Sequence, residues 1–320
     1  MPTLTPYVLH QTEAEQLLAR IDVHQAMLAM FRGLAAGTAV QPAQQLVEFP
    51  NAAGDFINYL GVLAEAGVYG VKTSPYIVRE QGPLVSAWTL LMSMQSGQPL
   101  LLCDAATLTT ARTAATTAVA VDALAPGQAS RLAVIGSGAV ARAHVHYVKG
   151  LREWQSIRLY SPSLAEQTDA QRLELQQLDP RLQLCPSLEQ ATRDAEVIML
   201  CTSAAGPVLE PDSLRQPALI TSISTNAPRA HEVPPQSLAG MDVYCDYRAT
   251  TPASAGEMCL ASEQHHWDRA LVRGDLAELL SDQAPLPDYR RHVFFRSIGL
   301  GLEDIALANA LYHLKHSRNA

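Results

Sequence analysis

Charge is scarce in this chain: 17% of its 320 residues are Asp, Glu, Lys or Arg, against 48% hydrophobic. Unfolded chains are poor in apolar residues and rich in net charge, so global disorder is excluded, and this length suits two domains with a large core. No stretch approaches about 18 uninterrupted apolar residues, so no membrane-spanning helix is expected. The opening MPTLTPYVLHQ has neither a basic flank nor an apolar core. No secretory leader is therefore expected, and the cytoplasm is the expected compartment. Basic residues are in deficit, 23 against 31 acidic, for a formal charge of −8. Without a basic stripe, nucleic acid is not an expected partner. Cysteine is sparse as well. Cys103, Cys185, Cys201, Cys245 and Cys259 are widely spaced and form no C-x-x-C pair. Neither a disulfide framework nor a metal site is expected, and the thiols read as small buried hydrophobes of a reducing compartment.

What is present is a change of pattern along the chain. The first 35 residues read as helix: Thr12 and Glu15 fit a capping box, and Asp22 precedes Val23, Met27, Met30, Phe31 and Leu34 at helical spacing. Asn58 to Leu63, Val68 to Thr73 and Leu84 to Met94 read as strands. Gln95-Ser96-Gly97-Gln98 reads as a hairpin turn into Pro99-Leu100-Leu101-Leu102. Asp104 then starts a long Ala/Thr-rich helix that stops at Ala125-Pro126-Gly127-Gln128. Beyond it, strand candidates at Leu132–Ile135, Ser156–Tyr160, Arg181–Leu184, Val197–Cys201, Leu219–Ser222 and Asp242–Cys245 alternate with helical stretches. Such alternation predicts a doubly wound parallel sheet of Rossmann type. A last helix is predicted from about Leu302 to Lys315.

The sharpest local motif is Gly136-Ser137-Gly138-Ala139-Val140-Ala141, a G-x-G-x-x-A loop directly after the strand Leu132–Ile135. Gly136 permits the tight turn, Gly138 lets the backbone approach a pyrophosphate, and Ala141 keeps the helix close to the strand. The helix N-terminus offers free N–H groups to the phosphates. At the end of the next strand an acid would favour NAD by binding the ribose 2′-hydroxyl. Here Tyr160-Ser161-Pro162-Ser163 carries none, Ser161 and Ser163 are suited to donate to a 2′-phosphate, and Arg158 lies near. The reading is NADP or NAD, leaning to NADP.

Two cations stand out upstream. Lys72, in GVYGVK, shares a strand face with Val68 and Gly70. It is either an edge lysine with its head in water or a buried amine able to exchange a proton near neutrality. Arg112 shares a helix face with Thr109, Thr113 and Thr116. That face is either solvated or built to grip a carboxylate.

GVYGVK, the Ser96-Gly97-Gln98-Pro99 hairpin, LTTARTAATTAVA, VIGSGAVARAH, Gly256-Glu257-Met258 and the closing FFRSIGLGLEDIA occur in the order seen in the ornithine cyclodeaminase/μ-crystallin family. The chain resembles that family from about residue 40 to 312. The resemblance implies an α/β fold: a Rossmann sheet inserted in an α+β substrate-binding and dimerisation domain. The expected boundaries are 1–125 for the first part of that domain, 126–295 for the NAD(P)-binding unit and 296–320 for a C-terminal helix returning to the first domain. It also implies a homodimer, NAD(P)H and a small amino or imino acid. Lys72 takes the position of the substrate-contacting catalytic lysine and Arg112 that of the carboxylate anchor, presenting positive charge to the substrate. Gly136, Ser137, Gly138, Ala139, Val140, Ser161, Ser163, Thr202 and Ser297 make up the expected cofactor-binding set.

Two positions depart from the family pattern. Gln44, in Gln41-Pro42-Ala43-Gln44, stands where an arginine near the substrate carboxylate is usual. Asn226 stands where a strand-end aspartate is usual. An amide can orient a substrate or water but cannot take a proton as a carboxylate does. His231, five residues on, is an alternative base. The resemblance, taken with these departures, therefore implies an NAD(P)H-dependent oxidoreductase acting on the C=N bond of a small imino acid, with Lys72 and Asn226 at the reacting centre and Arg112 and Gln44 on the substrate. A cyclodeaminase or amino-acid dehydrogenase of the same family, and a non-enzymatic NADP-dependent binder of μ-crystallin type, are the competing readings.

Overall fold

The structure is a computed structural model that describes residues 5–224 and 229–319. The chain divides into two compact units, 1–112 with 299–320, and 113–298. The boundaries read from sequence, 125/126 and 295/296, differ from these. The glycine-bearing stop at 125–128 marks the end of a helix, whereas the units divide inside that helix.

The first unit runs β1 (Tyr7–Leu9), α1 (Gln11–Leu18), α2 (Val23–Ala35), β2 (Ala39–Val40), β3 (Gln45–Glu48), β4 (Gly54–Leu63), β5 (Val68–Ile77), β6 (Leu84–Val85), β7 (Trp88–Ser93), β8 (Pro99–Asp104) and the start of α3 (Ala106–Leu124). Its sheet has the order β1-β8-β7-β5-β4-β2, with β3 added on β4 and β6 on β5. Only β1 with β8 is parallel; the other pairs are antiparallel. Alternation decides which side chains face inward. In β5 Val68, Gly70 and Lys72 are buried, and across the ladder Lys72 pairs with Tyr59 of β4 and Thr89 of β7, which are buried too. The terminal helix α9 (Gly301–Asn319) lies against β4 and β5 on this face. The opposite face is apolar but half-exposed in the single chain: Leu60, Val62, Val71, Leu90 and Met92 are partly covered and Tyr69 is exposed.

Local signals account for most of the helices. Asp22 caps α2, its Oδ1 accepting from Gln25 N–H at 3.0 Å, and Val23, Met27, Met30 and Phe31 are buried along the predicted stripe. Asp104 Oδ1 accepts from Ala106 N–H at the head of α3. The capping box expected at Thr12 and Glu15 does not form. The helix starts earlier, with His10 at its cap, so Thr12 is already inside it. The Glu15 carboxylate instead accepts from Gln11 and from Thr107 of α3.

The second unit holds β9 (Arg131–Ile135), α4 (Ala139–Val148), β10 (Ser156–Tyr160), α5 (Asp169–Gln176), β11 (Leu182–Leu184), α6 (Leu188–Thr192), β12 (Val197–Leu200), β13 (Leu219–Ser222), β14 (Asp242–Cys245), α7 (Gly256–His265), β15 (Val272–Asp275), α8 (Leu276–Leu280) and β16 (Val293–Arg296). All eight strands are parallel, in the order β11-β10-β9-β12-β13-β16-β14-β15. Strands β12, β13, β14 and β16 are buried at every position, as central strands covered on both faces must be. The order reverses between β9 and β12, which places a topological switch point beside the glycine loop. All five cysteines are free. Cys103, Cys201 and Cys245 are buried, while Cys185 and Cys259 are half-buried. No helix of the described residues is long and apolar enough to cross a membrane, and no group of His, Cys, Asp or Glu among them is arranged to hold a metal ion.

Candidate active site

In the first unit, four charged side chains meet in a buried cluster. Lys72 Nζ lies 3.0 Å from Asp304 Oδ2, and Arg112 reaches Glu303 Oε2 at 2.7 Å and Asp304 Oδ1 at 3.3 Å. Lys72, Arg112, Glu303 and Asp304 are 1%, 3%, 0% and 1% exposed, so neither cation is an edge residue with a solvated head. Each is placed by its element. Lys72 takes its inward turn on β5, Arg112 projects from the first half of α3, and the two acids occupy the first turn of α9, where the helix dipole favours negative charge. The Lys72 ammonium sits 4.1 Å from the centre of the Tyr59 ring and 3.4 Å from Thr109 Oγ1.

The positive charge expected of Lys72 and Arg112 is thus matched by two carboxylates that the sequence reading had left as letters of the closing motif. A buried ion pair is held most firmly when both members stay, since removing one partner leaves an uncompensated charge. Burial pulls the Lys72 ammonium down to about 8, with Asp304 opposing and Arg112 adding to the fall. Burial also acts to lower Arg112, but Asp304 and Glu303 outweigh it and hold the guanidinium above its ordinary range. One of the two cations is therefore permanently charged, and the other can exchange a proton near neutral pH.

Two neighbours shape this cluster. Gln44 Nε2 donates to Gly299 O at 2.6 Å, and Leu302 N–H donates to Gln41 Oε1, satisfying a free amide at the head of α9. Gly299 has φ +76°, and a Cβ there would lie 2.1 Å from Arg112 Nη1. Glycine is what lets the chain turn into α9 directly against the guanidinium.

In the second unit the glycine loop follows β9. Gly136 has φ +130°, and a Cβ on it would stand 2.4 Å from Cys201 O, so the turn requires glycine. Gly138 caps α4 without a side chain, a Cβ there would meet nothing within 4 Å, and Ala139 and Val140 form the first turn. Beside this loop three hydroxyls gather: Ser161 and Ser163 are 2.9 Å apart, Ser137 and Ser163 are 3.1 Å apart, and Gln167 Nε2 donates to Ser137. A helix N-terminus open above a glycine turn, with hydroxyls clustered at the neighbouring strand end, fits the pyrophosphate and ribose of a dinucleotide.

The other expected residues are placed differently. Thr202 spends both its N–H and its hydroxyl on Glu232 Oε1, and Ser297 donates to Asp246 Oδ2 in the interior. Glu232, fully buried, also accepts from Ser222 and from Ser224 N–H, tying the chain after β12 to the chain after β13. His231 Nδ1 bonds Arg229 O within its own turn. Asn226 lies outside the described residues. His144 was missed: it is buried, held between Val140 O at 2.7 Å and Thr117 Oγ1 at 3.0 Å, and burial lowers its pKa to about 4. A neutral imidazole thus locks the first turn of α4.

A parallel sheet with a glycine loop at its switch point, joined to a separate unit bearing a buried lysine and arginine, defines a dinucleotide-dependent oxidoreductase of two units. A sequence model of the ornithine cyclodeaminase/mu-crystallin family matches residues 5–319, and the chain belongs to that family. The NAD(P)H-dependent anabolic L-arginine dehydrogenase DauB of Pseudomonas aeruginosa is 70% identical, over 99% of this chain and 100% of its own. The ketimine reductase mu-crystallin of Mus musculus is 24% identical, over 90% of this chain and 89% of its own. The Thermococcus litoralis Delta(1)-pyrroline-2-carboxylate reductase, solved with NADH and L-proline, has the same fold, with a TM-score of 0.87 at 23% identity over 97% and 98% of the two chains. The chain is an NAD(P)-dependent oxidoreductase of this family acting on CH–NH or CH–NH2 groups.

Proposed function

We propose that the protein makes an L-amino acid by reducing the C=N bond of an α-imino acid, and that this amino acid is L-arginine. The 70% identity to an anabolic L-arginine dehydrogenase over the full length of both chains supports the substrate. The single observation that carries the chemistry is the buried Lys72 amine, set within the same charge cluster as Arg112. The substrate is then the imine of 5-guanidino-2-oxopentanoate, formed from the oxo acid and ammonia.

Arg112 binds the carboxylate. Its guanidinium carries five donors, so it can serve Glu303 and the substrate together. Lys72 delivers a proton to the imine nitrogen, which its lowered pKa permits near neutrality. Gln44 and Asn226 orient the substrate through amide hydrogen bonds. The loop from Gly136 to Val140 holds the pyrophosphate, and Ser137, Ser161 and Ser163 hold the 2′-phosphate, with NADPH preferred over NADH. The nicotinamide, when bound, supplies a hydride to the α-carbon. The substrate-binding unit is also the dimerisation unit, since the half-exposed apolar face of its sheet, with Tyr69 and Leu90, suits burial against a second copy.

The test is NAD(P)H oxidation with 5-guanidino-2-oxopentanoate and ammonia, run beside preformed cyclic imines and beside ornithine and lysine with an ammonia readout. Turnover of the guanidino acid and its loss in Lys72→Ala, with dinucleotide binding retained, is the expected result. Full turnover in Lys72→Ala would sink the mechanism. Ammonia release from ornithine in its place would make the protein a cyclodeaminase.

A further inference from the structure

We propose that Asp304 is a positioning residue that keeps the Lys72 ammonium protonated and aimed for the reduction, holding it through one carboxylate oxygen while the other holds Arg112. The inference deepens the reading that Lys72 is the proton donor and rests on it.

Asp304 has a geometry that the neighbouring acid lacks. Its Oδ2 is 3.0 Å from Lys72 Nζ and its Oδ1 is 3.3 Å from Arg112 Nε, so one planar group fixes the donor relative to the carboxylate anchor. Glu303 reaches Arg112 at 2.7 Å. It supplies the guanidinium with a second counter-charge, so Asp304 is not consumed by Arg112. Three further groups from two elements meet the ammonium: Tyr59 from β4 offers its ring face, and α3 brings the Thr109 hydroxyl and the like charge of Arg112. Cys103 from β8 stands near Asp304, its thiol pushed by burial up to about 12 and so uncharged. Of these groups only Asp304 and Glu303 favour the charged amine by their own charge, and Asp304 is in contact with it.

A desolvated amine beside an arginine loses its proton too readily to act as an acid at neutral pH. In the reduction, hydride adds to the α-carbon, the C=N π pair moves to nitrogen, and nitrogen takes its proton from the Lys72 ammonium. Water returns a proton to the Lys72 amine. The step therefore requires the charged form, and activity falls as pH rises through the Lys72 pKa. A carboxylate 3.0 Å away raises that pKa, so removing its charge must shift the basic limb of the profile to lower pH.

The experiment is kcat/KM for imine reduction against pH in wild type, Asp304→Asn, Asp304→Ser and Asp304→Glu, with dinucleotide affinity as the check on fold. The expected result is a basic limb moved down by about one unit or more in the neutral variants. Asp304→Glu is expected to restore its position. A role confined to packing lowers the amplitude and leaves the limb in place. An unmoved limb in a folded neutral variant, or failure of both neutral variants to fold, overturns the proposal. Full turnover in Lys72→Ala would overturn the parent reading instead. An inactive Lys72→Ala with an unmoved limb in Asp304→Asn overturns only the role given to Asp304.

Discussion

Replacing Gly299 by Ala puts one methyl group where the structure has no room for it. The added Cβ would lie 2.1 Å from Arg112 Nη1 and 2.9 Å from both Cζ and Nη2, in a backbone with φ +76°. A left-handed conformation costs a residue with a side chain about 1–2 kcal/mol, and forcing an extra carbon into a packed site costs about 1–3 kcal/mol. If the guanidinium stays put, the fold absorbs the sum, roughly 2–5 kcal/mol. The guanidinium is the far end of a long side chain, but Glu303 and Asp304 pin it from two sides, so it cannot swing away freely. If it does give way, the carboxylate anchor proposed above moves with it. Hydrogen bonds to charged groups contribute about 1.5–3 kcal/mol each. Displacing a bidentate grip by about 3 kcal/mol lowers kcat/KM for the imino acid roughly a hundred-fold. Steady-state NAD(P)H oxidation gives kcat and KM, thermal unfolding gives the stability, and nucleotide fluorescence gives dinucleotide affinity. The expected signature is a raised KM or a lowered melting temperature, with dinucleotide affinity unchanged. Wild-type kcat/KM together with wild-type stability would refute both the placement of Arg112 and its role.

Two more outcomes follow from the other faces of the molecule. Ser163→Asp places a carboxylate in the hydroxyl cluster with Ser137 and Ser161, repelling a 2′-phosphate and accepting from a ribose hydroxyl. The ratio of kcat/KM for NADPH to that for NADH is expected to fall at least ten-fold, a change of about 1.4 kcal/mol, and an unchanged ratio would place the 2′-phosphate elsewhere. Sedimentation is expected to return a dimer mass for the wild-type chain and a monomer mass for Tyr69→Glu combined with Leu90→Glu. A wild-type monomer, or an unaffected dimer in the double variant, would dismiss the sheet face as the interface.

The features legible in sequence were those written in contiguous residues. The loop Gly136 to Ala141 declares itself because its three special positions fall within six residues between a strand and a helix. Lys72 and Arg112 were visible as cations on otherwise apolar or small-residue faces, yet their burial was not. A strand residue of alternating pattern can be an edge or an interior position, and only the pairing of β5 with β4 and β7 decides which. Glu303 and Asp304 escaped because their partners lie far back along the chain. The available signal was two adjacent acids between apolar neighbours at the start of a helix, a position costly to bury without counter-charge. Strands β15 and β16 were not expected: Arg273, Gly274 and Asp275 leave the first with a single apolar residue, and Phe294-Phe295-Arg296 of the second was read as the start of the closing motif. The role of Glu232 was not legible, because its service to Thr202, Ser222 and Ser224 depends on two separate strand ends coming together.

The charge cluster has a consequence for the order in which the molecule can be made. Arg112 and Glu303 are 191 positions apart, and the whole parallel-sheet unit lies between them. At roughly 5–20 residues added per second, the ribosome needs about 10–40 s to travel that interval. For all of it, Lys72 on its sheet and Arg112 on α3 exist without these two carboxylates, because the helix that carries them has not yet been synthesised. The parallel-sheet unit can fold during this wait, while the first unit lacks the helix that covers its sheet until α9 emerges. The two cations remain hydrated in the growing chain and lose their water only when the segment that neutralises them arrives, so the cluster closes after the parallel-sheet unit has been made.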